Sequence, residues 1–276
     1  MRVSFTLSST LLLFLLVPPK QTLKLATFNI QVFGSSKSKK LDVMRILAEI
    51  ICRFDGVFIQ EIREKSGNAF QTLLDTVNKL CGQTSQTRYE GITGPRHGKS
   101  NIKEQIGFMY RSNSIILNKL IGIATDQFER PPDCFAITLQ KAQIKIVVMA
   151  VHLDPDHVER EMEALYDLAP QCQELGGTEN LIILGDMNAD CGYLSKRRRE
   201  SLRLKLDSNF KWLVPDEADT TVAASSCAYD RIIVSGRQLV SKGLSAEALN
   251  FEQMLGLTNT KAKEVSDHYP VEMLIK

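Results

Sequence analysis

Leu181-Ile182-Ile183-Leu184-Gly185-Asp186-Met187-Asn188 is a short apolar run that closes on a glycine, a carboxylate and an amide. The run reads as a strand, and its end carries groups that can hold a metal or move a proton. The arrangement recurs along the chain. Asp267-His268 stands just before the apolar run from Val271, and Tyr229-Asp230-Arg231 opens another. Gln60-Glu61 follows Val57-Phe58-Ile59, while Asn29 and His152 end the runs Leu23–Phe28 and Val147–Val151. Enzymes that mix strands and helices gather their active sites at strand ends. A lone Asp-His pair is weak evidence, but six such ends in one chain point to one shared site.

Between these ends the pattern alternates. Helical spacing is expected over roughly Lys39–Arg53, Asn68–Leu80, Val158–Leu175 (with Pro170 inside) and Leu194–Leu206. Further strands are expected at Ile106–Tyr110, Ser114–Ile121, Phe135–Leu139, Ile144–Leu153, Arg231–Val234 and Val271–Ile275. Cys81–Gln105 is polar and rich in Gly, Ser and Thr, a long loop or hairpin that can reach a ligand. Hairpin-length spacings in the middle imply an α/β domain with sheets covered by helices. A dinucleotide-binding sheet is excluded by the absence of any G-x-G-x-x-G after a strand.

The chain has 276 residues and a net charge of +2, so no strong basic field announces a polyanionic partner; such binding needs a local patch. Arg2 and the apolar Leu11–Val17, ended by Pro18-Pro19, form a secretory leader over about residues 1–20, leaving 21–276 as the working domain. That segment is short for a bilayer span, and no second one follows. The expectation is a secreted, soluble monomer without stable membrane association; nuclear action is less favoured. Six cysteines in an exported chain permit disulfides without fixing their pairing. A Cys191–Cys227 bridge would tie together the loops after Asn188 and before Asp230. Cys52 and Cys81 read as packed thiols at helix positions, and Cys134 and Cys172 stay open. No N-x-Ser/Thr acceptor is present.

Asn29, Glu61, Asp186, Asn188, Asp230 and Asp267 offer oxygen ligands, which suit magnesium, manganese or calcium rather than zinc. Each acid alone reads as a solvated loop residue; converging at strand ends, they would repel one another without a cation. His152 and His268 titrate near neutrality and suit a base–acid pair, which phosphodiester hydrolysis needs for the water and the leaving oxygen. His97, in the polar loop, and His157, at a helix start, receive no catalytic role.

The stretches Leu25-Ala26-Thr27-Phe28-Asn29-Ile30, Gln60-Glu61-Ile62-Arg63, Gly185–Cys191, Cys227–Arg231 and Ser266–Val271 together resemble the signatures of the deoxyribonuclease I family, within the endonuclease/exonuclease/phosphatase superfamily. Phe210–Asp216 and Asp219-Thr220-Thr221 match as well, and the resemblance runs from Leu23 to Lys276. It implies a four-layered α/β sandwich, two packed mixed sheets flanked by helices. It also implies an endonuclease for double-stranded DNA of low sequence specificity, acting in DNA catabolism. By position, Asn29, Glu61, Asp186 and Asp267 would surround Mg2+ (or Mn2+) at the scissile phosphate. Glu104 would orient His152, with His268 as the second imidazole, and Asp230 and Asn188 would position water and phosphate. Arg63 and Arg130 would contact DNA, and Cys191–Cys227 would be the family's bridge.

The departures are equally specific. Ile102 replaces a tyrosine of the DNA-gripping loop, and an aliphatic side chain wedges or packs but cannot stack. Asp219 and Thr221 match part of a structural Ca2+ site; a second, at Asp126 and Phe128, has Pro131 where an acid is expected. Actin inhibition does not carry over, because Tyr89–Ile92 differs. Lys196-Arg197-Arg198-Arg199 reads as a solvated helix face, with phosphate contact or a nuclear address as the other readings. Two rivals stand beside the nuclease: a sphingomyelinase-like phosphodiesterase acting on a lipid headgroup, and a catalytically silent DNA-binding relative.

Overall fold

Alternation of β-branched and aromatic runs with amphipathic segments builds the following order in the computed structural model, which describes residues 22–99 and 103–276. The leader expected over residues 1–20, and Ile102, lie outside them. The chain runs β1 (Leu23–Phe33), α1 (Leu41–Ile51), β2 (Gly56–Ile62), α2 (Asn68–Cys81), β3 (Tyr89–Thr93), β4 (Gln105–Arg111) and β5 (Ile115–Gly122). Then come β6 (Asp133–Leu139), β7 (Ile144–His152), α3 (Val158–Gly176), β8 (Leu181–Asp186), α4 (Lys196–Glu200), α5 (Arg203–Leu206) and β9 (Lys211–Trp212). The last are β10 (Asp230–Ser235), α6 (Arg237–Val240), β11 (Leu244–Ala248), α7 (Phe251–Met254), α8 (Asn259–Val265) and β12 (Val271–Ile275).

Two six-stranded sheets result, in the orders β11-β12-β1-β2-β4-β3 and β5-β6-β7-β8-β10-β9. Each has one parallel pair at its centre, β1 with β2 and β7 with β8, and antiparallel neighbours outside. A parallel pair needs a crossover, and α1 and α3 supply it. The sheets face each other through Leu25, Phe58 and Phe108 on one side and Phe135, Val148, Ile182 and Ile232 on the other. Phe58 stacks on Phe108 with centroids 4.2 Å apart, and both meet Phe135 edge-on, contacts worth about 0.5–1.5 kcal/mol each beyond burial. Outside, α1, α2 and α8 cover the first sheet and α3 covers the second through Val158, Met162, Leu165 and Ala169. This is the four-layered sandwich expected.

Two expectations are corrected and one is narrowed. The single helix over Leu194–Leu206 is two short helices, α4 and α5, because Leu202 turns to an extended conformation and is buried with Leu194 and Leu204 in the α3 layer. Of the loop or hairpin expected over Cys81–Gln105 the structure shows the hairpin: edge strand β3 pairs with β4, and its buried Tyr89 donates its hydroxyl to the Phe54 carbonyl at 2.5 Å. Cys52 and Cys81 are bridged, not packed thiols: the ends of α1 and α2 lie side by side with Cα atoms 6.0 Å apart. Cys134–Cys172 ties β6 to α3, and Cys191–Cys227 is paired as expected. No helix of the described residues is long and apolar enough to cross a membrane.

Candidate active site

Both parallel pairs end on the same side of the sandwich. Asn29 lies in β1 where its regular pairing with β2 stops, Glu61 is next to last in β2, and His152 and Asp186 close β7 and β8. Antiparallel neighbours start there instead. Glu104 precedes β4, Asp230 opens β10 opposite Asp186, and His268 precedes β12. One topology therefore collects seven side chains that are far apart in sequence.

Backbone irregularities aim them. β1 and β2 shift register just past Asn29 and Ile59, and Gln31, Val32 and Glu61 take positive φ of 44°, 49° and 62°. A β-branched valine there is strained, a cost held where the surrounding structure over-determines the site. Lys37 clamps this turn, donating from Nζ to the Ile30 and Gln31 carbonyls at 2.7 Å each. Burial pushes its pKa down to about 8 against the pull of Asp267 and Glu61. Ser266 Oγ donates to the Asn29 carbonyl at 2.6 Å and accepts from His268 N at 3.0 Å, which locks the entry of β12 onto the end of β1. Thr220 Oγ1 accepts from the backbone N–H groups of Tyr229 and Asp230.

Asp186 is the centre. Its Oδ2 lies 3.5 Å from Nε2 of both His152 and His268 and accepts from Asn29 Nδ2 at 3.0 Å. Behind each imidazole stands a second carboxylate. Glu104 makes a short contact with His152 Nδ1, and Asp230 Oδ2 lies 2.8 Å from His268 Nδ1. Each carboxylate fixes its ring with Nδ1 as donor and Nε2 toward the centre. Burial works against charge on His268, but Asp230 and Asp186 override it and raise its pKa to about 10. His152 is raised in the same sense, burial being outweighed by Glu104 and Asp186. Asp186, despite burial, is held below the carboxylate range by the two imidazoles, whereas burial wins at Asp230 and raises it.

Ligand atoms of Asp186, Asp230 and His268 all lie within 4.8 Å of one another, a group able to hold a metal ion. Glu61 Oε1 also approaches Asn29 Nδ2, at 3.2 Å, so two carboxylates share one amide. Among the described residues, Asp230 Oδ1 is buried without a partner. The carboxylate and amide oxygens gathered here are hard donors of the kind a divalent cation takes. Asp267 stands on the rim, half exposed, with Oδ1 3.9 Å from His268 Nε2.

The remaining expected residues are engaged within the protein. Arg63 pairs with Glu61 at 2.7 Å and reaches Glu104 at 3.7 Å; Arg130 pairs with Glu104 at 3.2 Å and donates to the His152 and Leu153 carbonyls. Both keep part of their surface at the site rim. Asn188, at φ 49°, is buried and donates to the Leu153 carbonyl at 3.0 Å. Asp219 Oδ1 accepts from Thr221 N and Oγ1, and Thr221 bridges to His268 in backbone pairing. The Lys196–Arg199 run is not one solvated face. Arg199 is buried, bonding Asp190 at 2.8 Å and Asp216 at 3.1 Å, and Asp216 also holds the buried Arg231 at 3.0 Å. This network holds Arg231, the residue after Asp230, and carried no sequence signal, because charge runs are normally solvated.

Strand-end carboxylates and imidazoles on a two-sheet sandwich define a class. Residues 26–268 match the Endonuclease/Exonuclease/phosphatase family model, and the chain belongs to that family. A crystal structure of a family member from Bacteroides thetaiotaomicron shares the fold, with TM-score 0.65 and 15% identity over 92% of this chain and 98% of that one. The chain is 33% identical over 264 residues to deoxyribonuclease-1 of Bos taurus, covering 92% of each. It is 36% identical over 267 residues to deoxyribonuclease-1-like 1 of Sus scrofa, covering 95% of this chain and 84% of that protein. Within its family it is a member of the deoxyribonuclease I branch.

Proposed function

We propose that this chain is a metal-dependent endonuclease that hydrolyses phosphodiester bonds of double-stranded DNA with low sequence specificity, secreted as a single 21–276 domain. The observation that carries the reading is the pair of imidazoles, each backed by its own carboxylate, with both Nε2 atoms 3.5 Å from one Asp186 oxygen. Hydrolysis needs one group to take a proton from water and another to give one to the leaving oxygen. Two oriented imidazoles facing one point supply both. Asn29, Glu61, Asp186 and Asp267 would hold Mg2+ or Mn2+, which would supply positive charge against the phosphate and against the carboxylates that make both imidazoles retain protons. Arg63 and Arg130 brace Glu104 and present their remaining N–H groups to the DNA backbone, and Asn188 holds the loop beneath the phosphate. Such contacts position a duplex without reading its bases. Full-length likeness to proteins named deoxyribonuclease-1 supports DNA as substrate.

A plasmid-nicking assay with magnesium, manganese, calcium and chelator tests the reading. The expected result is metal-dependent nicking abolished by chelator and reduced about 10²–10⁴-fold by His152→Ala. Release of phosphocholine from sphingomyelin with no nicking would transfer the site to a lipid headgroup. Undiminished cleavage by His152→Ala would refute the histidine assignment.

A further inference from the structure

His97 and Glu104 exchange both backbone hydrogen bonds, His97 N to Glu104 O at 2.8 Å and Glu104 N to His97 O at 3.0 Å. In such an antiparallel pair the two side chains share a face. Glu104 uses that face to reach His152. His97 uses it to reach Asp133, with Nε2 3.0 Å from Oδ1. Asp133 opens β6 directly opposite Ala150 of β7. Ala150 lies two residues before His152, on the same face of the strand. Two imidazole–carboxylate links thus run side by side from one bridge to neighbouring strands of the second sheet. One has its acid on the bridge, the other on the sheet.

Asp133 is fully buried, and its burial raises the carboxyl pKa against the pull of His97. Its Oδ2 has no partner among the described residues and occupies space that a Cβ on residue 94 would fill, 2.0 Å away, so the carboxylate fits only because Gly94 has no side chain. A buried carboxylate with a single partner is costly to keep. His97 also lines the small cleft bounded by Glu104, Arg130, Pro131 and His152.

We propose that His97 and Asp133 are positioning residues that hold Glu104 at the angle from which it orients His152, an inference that rests on the reading of His152 as a proton-transfer group. His152, Arg130 and Arg63 hold the Glu104 carboxylate itself, which leaves free the tilt of the backbone bridge from which it extends. The second, parallel link removes that freedom, as supporting hydrogen bonds do for catalytic and metal-binding imidazoles.

Steady-state cleavage of duplex plasmid DNA in magnesium is the test, on His97→Leu, His97→Gln, Gly94→Ala, Glu104→Gln and the His97→Leu/Glu104→Gln double variant. Thermal midpoint and near-ultraviolet circular dichroism establish that each is folded. His97→Leu is expected to lower kcat about 10–100-fold with KM changed less than about twofold. His97→Gln, which keeps an N–H for Asp133, recovers most of the loss, and Gly94→Ala reproduces it by displacing the Asp133 carboxylate. In the Glu104→Gln background, His97→Leu adds nothing further, because a residue that acts through Glu104 has nothing left to position. Wild-type kcat in His97→Leu, or the same fold-loss in both backgrounds, overturns the proposal while leaving the nuclease reading intact. Wild-type kcat in Glu104→Gln would instead remove the reading on which it rests.

Discussion

Glu104 shows how one side chain couples folding to chemistry. It is buried, and burial alone would raise its pKa; contacts with His152, Arg130 and Arg63 reverse this and hold it below its ordinary 4.5. His152 is raised above its ordinary 6.5 by the same contact. A depressed carboxylate stabilises the fold above its unfolded pKa and loses that contribution as pH falls through the folded value. A raised imidazole stabilises fully below its unfolded pKa and loses it as pH rises through the folded value. The pair is therefore at full strength only between about pH 4.5 and 6.5. In metal-free buffer, the stability difference between wild type and Glu104→Gln should peak in that window and shrink on both sides. Denaturant titrations from pH 3 to 9 check it; a flat difference would mean that the pair is not ionised as described. Every residue of this pair was legible in the sequence as a residue of the right type. That Arg63 and Arg130 turn inward to it was not, because direction depends on neighbours brought from another sheet.

At the scale of elements, the β7–β8 pair sets the site's register by facing His152 with Asp186. Gly185 makes it possible: its φ is 144°, and a Cβ there would lie 2.0 Å from the Val151 carbonyl oxygen. Gly185→Ala should cost about 3 kcal/mol or more and lower cleavage even where the protein stays folded; chemical denaturation and kcat measure the two effects. The loop holding Asp216 is the second element-scale dependence, since among the described residues Asp216 is the carboxylate paired directly with Arg231, while it shares Arg199 with Asp190. Asp216→Ala leaves a buried guanidinium unpaired and should cost about 3–5 kcal/mol, read as a lower denaturation midpoint; a change below about 1 kcal/mol would contradict that network. Most expected strands end within two residues of their bounds in the structure, but the one expected over Leu23–Phe28 runs on to Phe33, through the bend that aims Asn29. The helix over Leu194–Leu206 was not, because its apolar spacing serves two short segments pinned separately under α3.

For the whole molecule, three bridges tie α1 to α2, β6 to α3, and the loops flanking Asp186 and Asp230. Closing loops of 29 to 38 residues is worth between about 3 and 4 kcal/mol each in the chain-entropy model. Replacing Cys191 and Cys227 by alanine should therefore lower stability by about that amount. It should also reduce activity, since Ala228, beside the bridge, is held by Asp190; unchanged denaturation and kcat would show the bridge to be dispensable. The sequence by itself determined the alternation of strands and helices, the strand-end residues and the family they resemble, because periodicity, residue type and motif order are local properties. Tertiary structure alone decided how Cys52, Cys81, Cys134 and Cys172 pair, how β1 and β2 bend to aim Asn29 and Glu61, and which charges lie buried. It also placed His97 beside Asp133, 36 positions apart. These depend on distances across two sheets, which no stretch of chain contains.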